Sequence, residues 1–179
     1  MKLQSIHEKA GMAIGATKFY RQFIRHPGAL WYHAIALFNA FYSLTEELKM
    51  AQNTKDDPIL VQEVQTWRTT NAATLQSFFG TARNTATHQG AVFVEGHQEW
   101  EEDIANDTRH PIQRANITVS SSDINDMAED EFFDLCRKAI EFVQQGVVDI
   151  DAAYGAAGGT KHRLVDKNAD LDYSEVFDI

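Results

Sequence analysis

The sequence predicts an all-α fold, an antiparallel bundle of four to five helices interrupted by one irregular excursion around residues 91–121. Three observations support this prediction. Apolar side chains recur every three or four residues over most of the chain, which is the period of a helix with one buried face. Start and stop signals divide that pattern into separate helices. The length of 179 residues is enough for one helical core without disulfides or metals.

The first two helices are predicted at 3–25 and 29–52. The buried face of the first contains Leu3, Ile6, Ala10, Thr17, Tyr20 and Ile24. Pro27 and Gly28 separate the helices, because the proline ring disfavours a helical residue before it and glycine permits a turn. The second helix has the most apolar face, which predicts a central position: Trp31, Ile35, Phe38, Tyr42 and Leu48.

A third helix is predicted at 58–79, where Asp57 can cap the free amides and Pro58 suits the first helical position. After the excursion, Ser121, Ser122 or Asp123 can cap a last helix at 124–152. The excursion itself lacks helical periodicity. Its apolar runs at 91–94 and 117–119 predict two short extended pieces.

The expected organisation is one helical bundle domain at 1–154, followed by a glycine-rich linker and polar tail at 155–179. Gly155, Gly158 and Gly159 favour a linker because glycine weakens a helix. The tail's few apolar residues are expected to pack on the bundle or on a partner: Leu171, Tyr173, Val176 and Phe177.

Composition narrows the functional classes. The net charge of −10 disfavours a broadly basic surface that coats nucleic acid, so any RNA contact must be local. The single cysteine, Cys136, lies in an apolar helical pattern and is interpreted as a core thiol. The N-terminal residues lack a signal-peptide pattern, and charged residues interrupt the most hydrophobic stretch. We therefore expect a cytoplasmic protein outside the membrane.

In the segment Arg83-Asn84-Thr85-Ala86-Thr87-His88, four residues separate an arginine from a histidine after a predicted helix. It resembles the R-x4–6-H motif of the HEPN family, in which the residue after the arginine is often Asn, Asp or His. This resemblance implies a small helical bundle, a homodimer and a metal-independent endoribonuclease, acting in stress response, toxin–antitoxin pairs or phage defence. It also implies an RNA substrate, with an antitoxin or another protein as a further partner.

The residue types in this segment suit RNA cleavage on chemical grounds as well. Cleavage needs a base to take the proton of a 2′-hydroxyl and a cation to stabilise charge on the phosphate. His88 can exchange a proton near neutral pH, and Arg83 offers a planar, permanently charged fork for phosphate oxygens. Asn84 can orient either group. The predicted catalytic residues are therefore Arg83, Asn84 and His88, with no metal or cofactor.

Asn84 distinguishes this segment from a second match, Arg21 to His26, in which Gln22 follows the arginine. We interpret the second match as the basic face and end of the first helix. One subgroup of the family carries a tyrosine two residues after the histidine, and Gly90 stands there instead.

Two other readings of the chain stay open. Arg83 could pair with an acidic neighbour such as Glu46 or Glu47 while His88 closes a helix end. The chain would then be a helical interaction module, or a non-catalytic module that binds RNA or a nucleotide.

Metal sites receive less support from the sequence. Four residues of the excursion could ligate a metal, but without a recognisable spacing: His97, Glu99, Asp103 and His110. The segment beginning at Asp166 starts like a calcium loop, yet Leu171 replaces the required glycine and Phe177 the required glutamate.

Overall fold

Five helices and a three-stranded antiparallel sheet account for the regular structure of the residues that this computed structural model describes, which are 2–23, 27–79, 82, 92–103, 106, 108–120 and 122–165. The helices are α1 (Lys2–Phe23), α2 (Pro27–Ala51), α3 (Pro58–Thr70), α4 (Ala72–Phe79) and α5 (Glu129–Ala156). The strands are β1 (Val92–Asp103), β2 (Thr108–Val119) and β3 (Met127–Ala128).

The last helix, α5, packs against the four other described helices. Its buried residues recur at helical spacing: Phe132, Cys136, Ala139, Ile140, Val143, Val147, Ile150 and Tyr154. An aromatic cluster joins α2, α4 and α5, because the Phe38 ring meets Phe79 at 5.0 Å and Phe132 at 5.7 Å between ring centroids. Burying three aromatic rings in edge-on contacts makes this cluster a major part of the core.

The first three predicted helices are confirmed in position. α1 and α2 begin and end within two residues of the predicted bounds. The predicted helix at 58–79 is divided at Asn71, whose amide and side chain both donate to the Trp67 carbonyl. The predicted cap is also confirmed: the Leu60 amide donates to Asp57 Oδ1 at 3.1 Å, and Pro58 occupies the first turn.

The all-α prediction is wrong, because the excursion forms a β-hairpin and the fold is α+β. β1 and β2 pair along twelve residues each, from Val92 opposite Val119 to Asp103 opposite Thr108. The sequence predicted extended structure only at 91–94 and 117–119, near the two ends of the excursion. Farther out, from Glu95 to Glu102, both faces of β1 are largely exposed, so the alternation of apolar and polar residues that identifies a half-buried strand is missing.

The predicted start of the last helix is also wrong. α5 begins at Glu129, with Ala128 at the cap position and no side-chain cap. Ser122 serves a turn instead, donating to the Val119 carbonyl and accepting from the Ile124 amide. Asp123 is exposed and Ser121 lies outside the described residues. Met127 and Ala128 then pair with β2, so helix formation is delayed by a two-residue strand.

Within the described residues, no helix combines the length and apolar character needed to cross a membrane.

A close contact between α3 and α5 provides a stability prediction. A Cβ atom added at Gly146 would lie 2.0 Å from Cζ2 of the Trp67 ring. Alanine is the better helix former by about 1 kcal/mol, but overpacking costs about 1–3 kcal/mol. So close an approach puts the overpacking cost in the upper part of its range, about 2–3 kcal/mol. We therefore expect Gly146→Ala to lower the free energy of unfolding by about 1–2 kcal/mol in urea denaturation.

The matched control is Gln145→Ala, which changes the exposed neighbouring position and should stay within about 0.5 kcal/mol of the wild type. Trp67→Leu provides room at the contact. Adding Gly146→Ala to that variant should therefore lower the free energy of unfolding by less than it does in the wild type. A Gly146→Ala protein as stable as the wild type would show that the ring yields freely.

Candidate functional site

The three predicted catalytic residues, Arg83, Asn84 and His88, lie outside the described residues. The structure does show what stands on either side of their segment. Ala82, directly before Arg83, is fully buried, and Val92, where β1 begins, is 6% exposed. The two described residues that flank the segment, Ala82 and Val92, therefore lie in the core.

The helix before this segment is firmly held. α4 ends at Phe79, whose ring contacts Phe41 at 4.9 Å as well as Phe38. The last residue of α4, Phe79, thus lies in the core four residues before Arg83. A catalytic group gains from such anchoring, because misplacement of a reacting group by about 1 Å can cost a hundredfold in rate.

The acidic residues considered as partners of Arg83 already have cations nearby. Glu47 Oε1 accepts from Lys9 Nζ at 2.6 Å, and Glu46 Oε2 lies 3.5 Å from Lys49 Nζ. Because Arg83 lies outside the described residues, its pairing with either glutamate stays a prediction.

An open cleft of about 300 Å³ lies beside α4, between that helix and α2. Its lining combines apolar and polar side chains: Phe41, Thr45, Glu46, Leu48, Arg68, Ala72, Leu75 and Gln76. Arg68 donates to Gln52 Oε1 at 2.6 Å through one of its nitrogens. The cleft thus holds one guanidinium, from Arg68 on α3, and one carboxylate, from Glu46 on α2.

A second polar cluster, which we call the Asp57 hub, joins the start of α3 to the end of α5. The Tyr154 hydroxyl donates to Asp57 Oδ2 at 2.5 Å, and the Lys161 amide donates to the same hydroxyl oxygen at 3.1 Å. His162 Nε2 lies 3.8 Å from Asp57 Oδ2. The sequence indicated Asp57 as a cap, but it carried no signal for this partner 97 residues away.

Burial and hydrogen bonding within the hub shift the pKa of both partners. Burial raises the pKa of the Asp57 carboxyl, but hydrogen bonds from Tyr154 and the Leu60 amide, with the nearby charges of His162 and Lys161, bring the net pKa below its ordinary value. Burial and the Asp57 carboxylate raise the pKa of Tyr154. The hub therefore favours an ionised aspartate beside a neutral tyrosine.

The same region fixes the chain that follows α5, from Ala157 to Val165. Asp151 Oδ1 accepts from Arg163 Nε at 2.9 Å and from the Leu164 amide at 2.8 Å. The Val165 amide donates to Gln4 Oε1 on α1 at 3.0 Å. Asp57 and Tyr154 are only 5% and 1% exposed. Because both side chains are almost fully buried and hydrogen-bonded to each other, the hub joins the start of α3 to the end of α5.

The residues considered as metal ligands are spread along the hairpin. His97 Nε2 lies 3.1 Å from Glu99 Oε1, and Arg114 lies 3.6 Å from the other oxygen of that glutamate. His110 stands opposite Glu101 in the strand register. Within the part of the chain that the structure describes, no three potential ligands come together as a metal site. The segment at 166–177 lies outside that part.

Cys136 lies in the core, as predicted. It is fully buried on α5, and burial raises the pKa of its thiol well above the ordinary range. A thiol that remains protonated and inaccessible is a poor nucleophile.

Comparison of the chain with models of protein families, with curated proteins and with solved structures gives no match. The resemblance to the HEPN family therefore rests on the Arg83-to-His88 segment and on the expected helical bundle around it.

Proposed function

We propose that this chain is a HEPN-like, metal-independent endoribonuclease in which Arg83, Asn84 and His88 form the catalytic group. The observation that carries the proposal is the Arg-Asn-x-x-x-His sequence directly after buried Ala82 in a mainly helical fold. The fixed end of α4 supports it, since a site needs a rigid support. In this proposal the helices form an antiparallel bundle of the HEPN kind, to which the β-hairpin is an addition.

The proposed mechanism uses the 2′-hydroxyl of RNA as the nucleophile. His88 takes the proton of that hydroxyl, and the oxygen attacks the adjacent phosphorus. Arg83 stabilises the charge that develops on the phosphate oxygens, and Asn84 orients the site. The bond to the 5′-oxygen breaks, that oxygen takes up a proton, and the other product ends in a 2′,3′-cyclic phosphate. DNA lacks the attacking hydroxyl and should resist.

In the cell, the proposed nuclease cleaves RNA in the cytoplasm and acts in stress response, a toxin–antitoxin pair or phage defence. The partners proposed are a second copy of the chain and an antitoxin or another protein. The net charge of −10 requires that RNA bind through a local basic group, which the Arg83 guanidinium would supply.

The test is an RNA cleavage assay with the full chain. We expect total RNA to be cut in the presence of EDTA, single-stranded DNA to stay intact, and the new RNA ends to carry 2′,3′-cyclic phosphates. The control for folding is a helical circular dichroism spectrum. If folded protein leaves RNA intact with and without added divalent metal, the nuclease proposal is wrong.

A second candidate is a non-catalytic interaction module, and the exposed hairpin favours it. Trp100 is 63% exposed on β1 and stands opposite Pro111, so the hairpin offers apolar surface to a partner. RNA bound without cleavage, or a protein partner retained without RNA, would favour this candidate.

A further inference from the structure

The outer part of the hairpin extends beyond the helices. We call it the arm and define it as residues 97–103 and 108–114, seven cross-strand pairs. At about 3.3 Å per residue it is over 20 Å long. The core-facing side chains at the base of the hairpin are buried, including Val92, Ile117 and Val119, whereas most side chains of the arm are exposed.

The arm has two faces, because side chains alternate along a strand. The inner face continues the side on which Val92 and Val119 enter the core. It carries Gln98, Trp100 and Glu102, opposite Gln113, Pro111 and Arg109. The outer face carries His97, Glu99 and Glu101, opposite Arg114, Ile112 and His110.

The inner face has an apolar centre without a covering helix among the described residues. Trp100 stands opposite Pro111 and is 63% exposed. A two-stranded ribbon that projects into water is only marginally stable by itself. Covering the indole ring would remove apolar surface from water and hold the ribbon at its middle.

The two faces differ in charge. On the inner face one acid and one base cancel, and Arg109 donates to Glu102 at 2.5 Å. On the outer face Glu99 and Glu101 outnumber Arg114, which is also within 4 Å of Glu129 and Asp130 at the start of α5. In a chain of net charge −10, two outer faces would repel each other. Two inner faces would not.

We propose that the inner face of the arm binds the inner face of a second copy of this chain, giving a two-fold dimer. In such an isologous contact each residue pair occurs twice. Trp100 of each copy packs on the partner's Pro111, and Glu102 of each copy approaches the partner's Arg109. The inner face carries one acid and one base beside an exposed apolar centre, so it is complementary to a copy of itself. This self-complementarity is the observation that identifies a second copy as the occupant. The inference identifies the surface through which the proposed nuclease would dimerise, and its test does not depend on RNA cleavage.

The first test is sedimentation equilibrium of the full chain at protein concentrations from about 1 to 200 μM. The contact is small, so we expect a dissociation constant in the micromolar range. Trp100→Ser should raise it at least about tenfold, since central aromatic residues dominate such contacts. The matched control is Phe93→Ser, which removes an equally exposed ring, 61%, from the outer side of the same strand and should leave the dimer intact.

The second test reverses charge on the inner face. Glu102→Arg leaves two arginines there and Arg109→Glu leaves two glutamates, so each variant alone should be monomeric in the same concentration range. An equimolar mixture should form a heterodimer, because each arginine then meets a glutamate of the other chain. Glu101→Lys, an outer-face reversal, serves as the charge control and should still dimerise.

Circular dichroism of each variant establishes that the helices remain folded. The proposal fails if the wild type is monomeric up to about 200 μM. It also fails if Trp100→Ser and Phe93→Ser have equal effects, or if mixing the two charge variants produces no heterodimer. RNA cleavage is measured separately, so loss of the dimer proposal and loss of the nuclease proposal are distinguishable results.

Discussion

Replacing His88 with alanine is expected to slow RNA cleavage by about 10²–10⁴-fold, because removing a group that transfers a proton in the transition state commonly has an effect of this size. The fold should be unaffected, as shown by an unchanged circular dichroism spectrum and melting temperature. Arg83→Lys should also be weakly active. Lysine retains the positive charge but loses the planar fork that matches two phosphate oxygens.

The chain provides a matched control in its second arginine–histidine match. His26→Ala removes a histidine that follows Arg21 at a similar spacing but without asparagine after the arginine. Cleavage by this variant should equal that of the wild type within about twofold. The catalytic assignment is wrong if the His88 and Arg83 variants cut RNA as fast as the wild type, or if His26→Ala is the variant that loses activity.

The positions of the helices were largely predictable because each helix has a buried face, and the start of α3 also has an end signal. Asp57 and Pro58 mark the start of α3 in sequence, and the structure has the same cap. The hairpin was not predictable to its full length. Its arm is exposed on both faces, so burial imposes no alternation there, and only the core-facing pieces at 91–94 and 117–119 had a readable pattern.

The polar network at the end of α5 shows another limit of sequence patterns. Asp57 can be recognised as a cap from its neighbours, since a cap is a local interaction. Its hydrogen bond with Tyr154 depends on how α3 and α5 pack, and no spacing in the sequence encodes that contact. The segment proposed to be catalytic, Arg83 to His88, is the opposite case: its residue types suggest chemistry directly, but it lies outside the described residues.

The Asp57 hub supports the second prediction with a large expected effect. Asp57→Ala removes the cap of α3 and the acceptor of the Tyr154 hydroxyl together. A lost cap costs about 0.5–2 kcal/mol, and a lost hydrogen bond to a charged group about 1.5–3 kcal/mol. We expect the free energy of unfolding to fall by about 3 kcal/mol at pH 7. For a chain of this length that lowers the melting temperature by roughly 6–12 °C.

Tyr154→Phe is the matched variant, because it keeps the ring and the α3 cap but removes the hydroxyl. It should cost about 1–3 kcal/mol, since Asp57 then loses one of its donors inside the protein. The two changes should not add: the double variant should be more stable than the sum of the single effects predicts by at least about 0.5 kcal/mol. Additive effects would show that the hydroxyl and the carboxylate do not stabilise the fold as a pair.

The pH dependence of unfolding tests the same pair through its charges. The pKa of Asp57 lies below its ordinary value of 3.8, so the native state binds fewer protons than the unfolded state near that pH. The stability contributed by Asp57 is present above pH 3.8 and is lost as the pH falls through the folded pKa. The pKa of Tyr154 lies above its ordinary value of 10.0, so its contribution is present below pH 10 and is lost as the pH rises through the folded pKa. In urea denaturation, the difference in free energy of unfolding between wild type and Asp57→Ala should therefore be largest between about pH 5 and 9 and should become smaller below pH 3.8. If that difference stays constant from pH 7 down to pH 3, the ionised Asp57 carboxylate is not what stabilises the contact between the start of α3 and the end of α5.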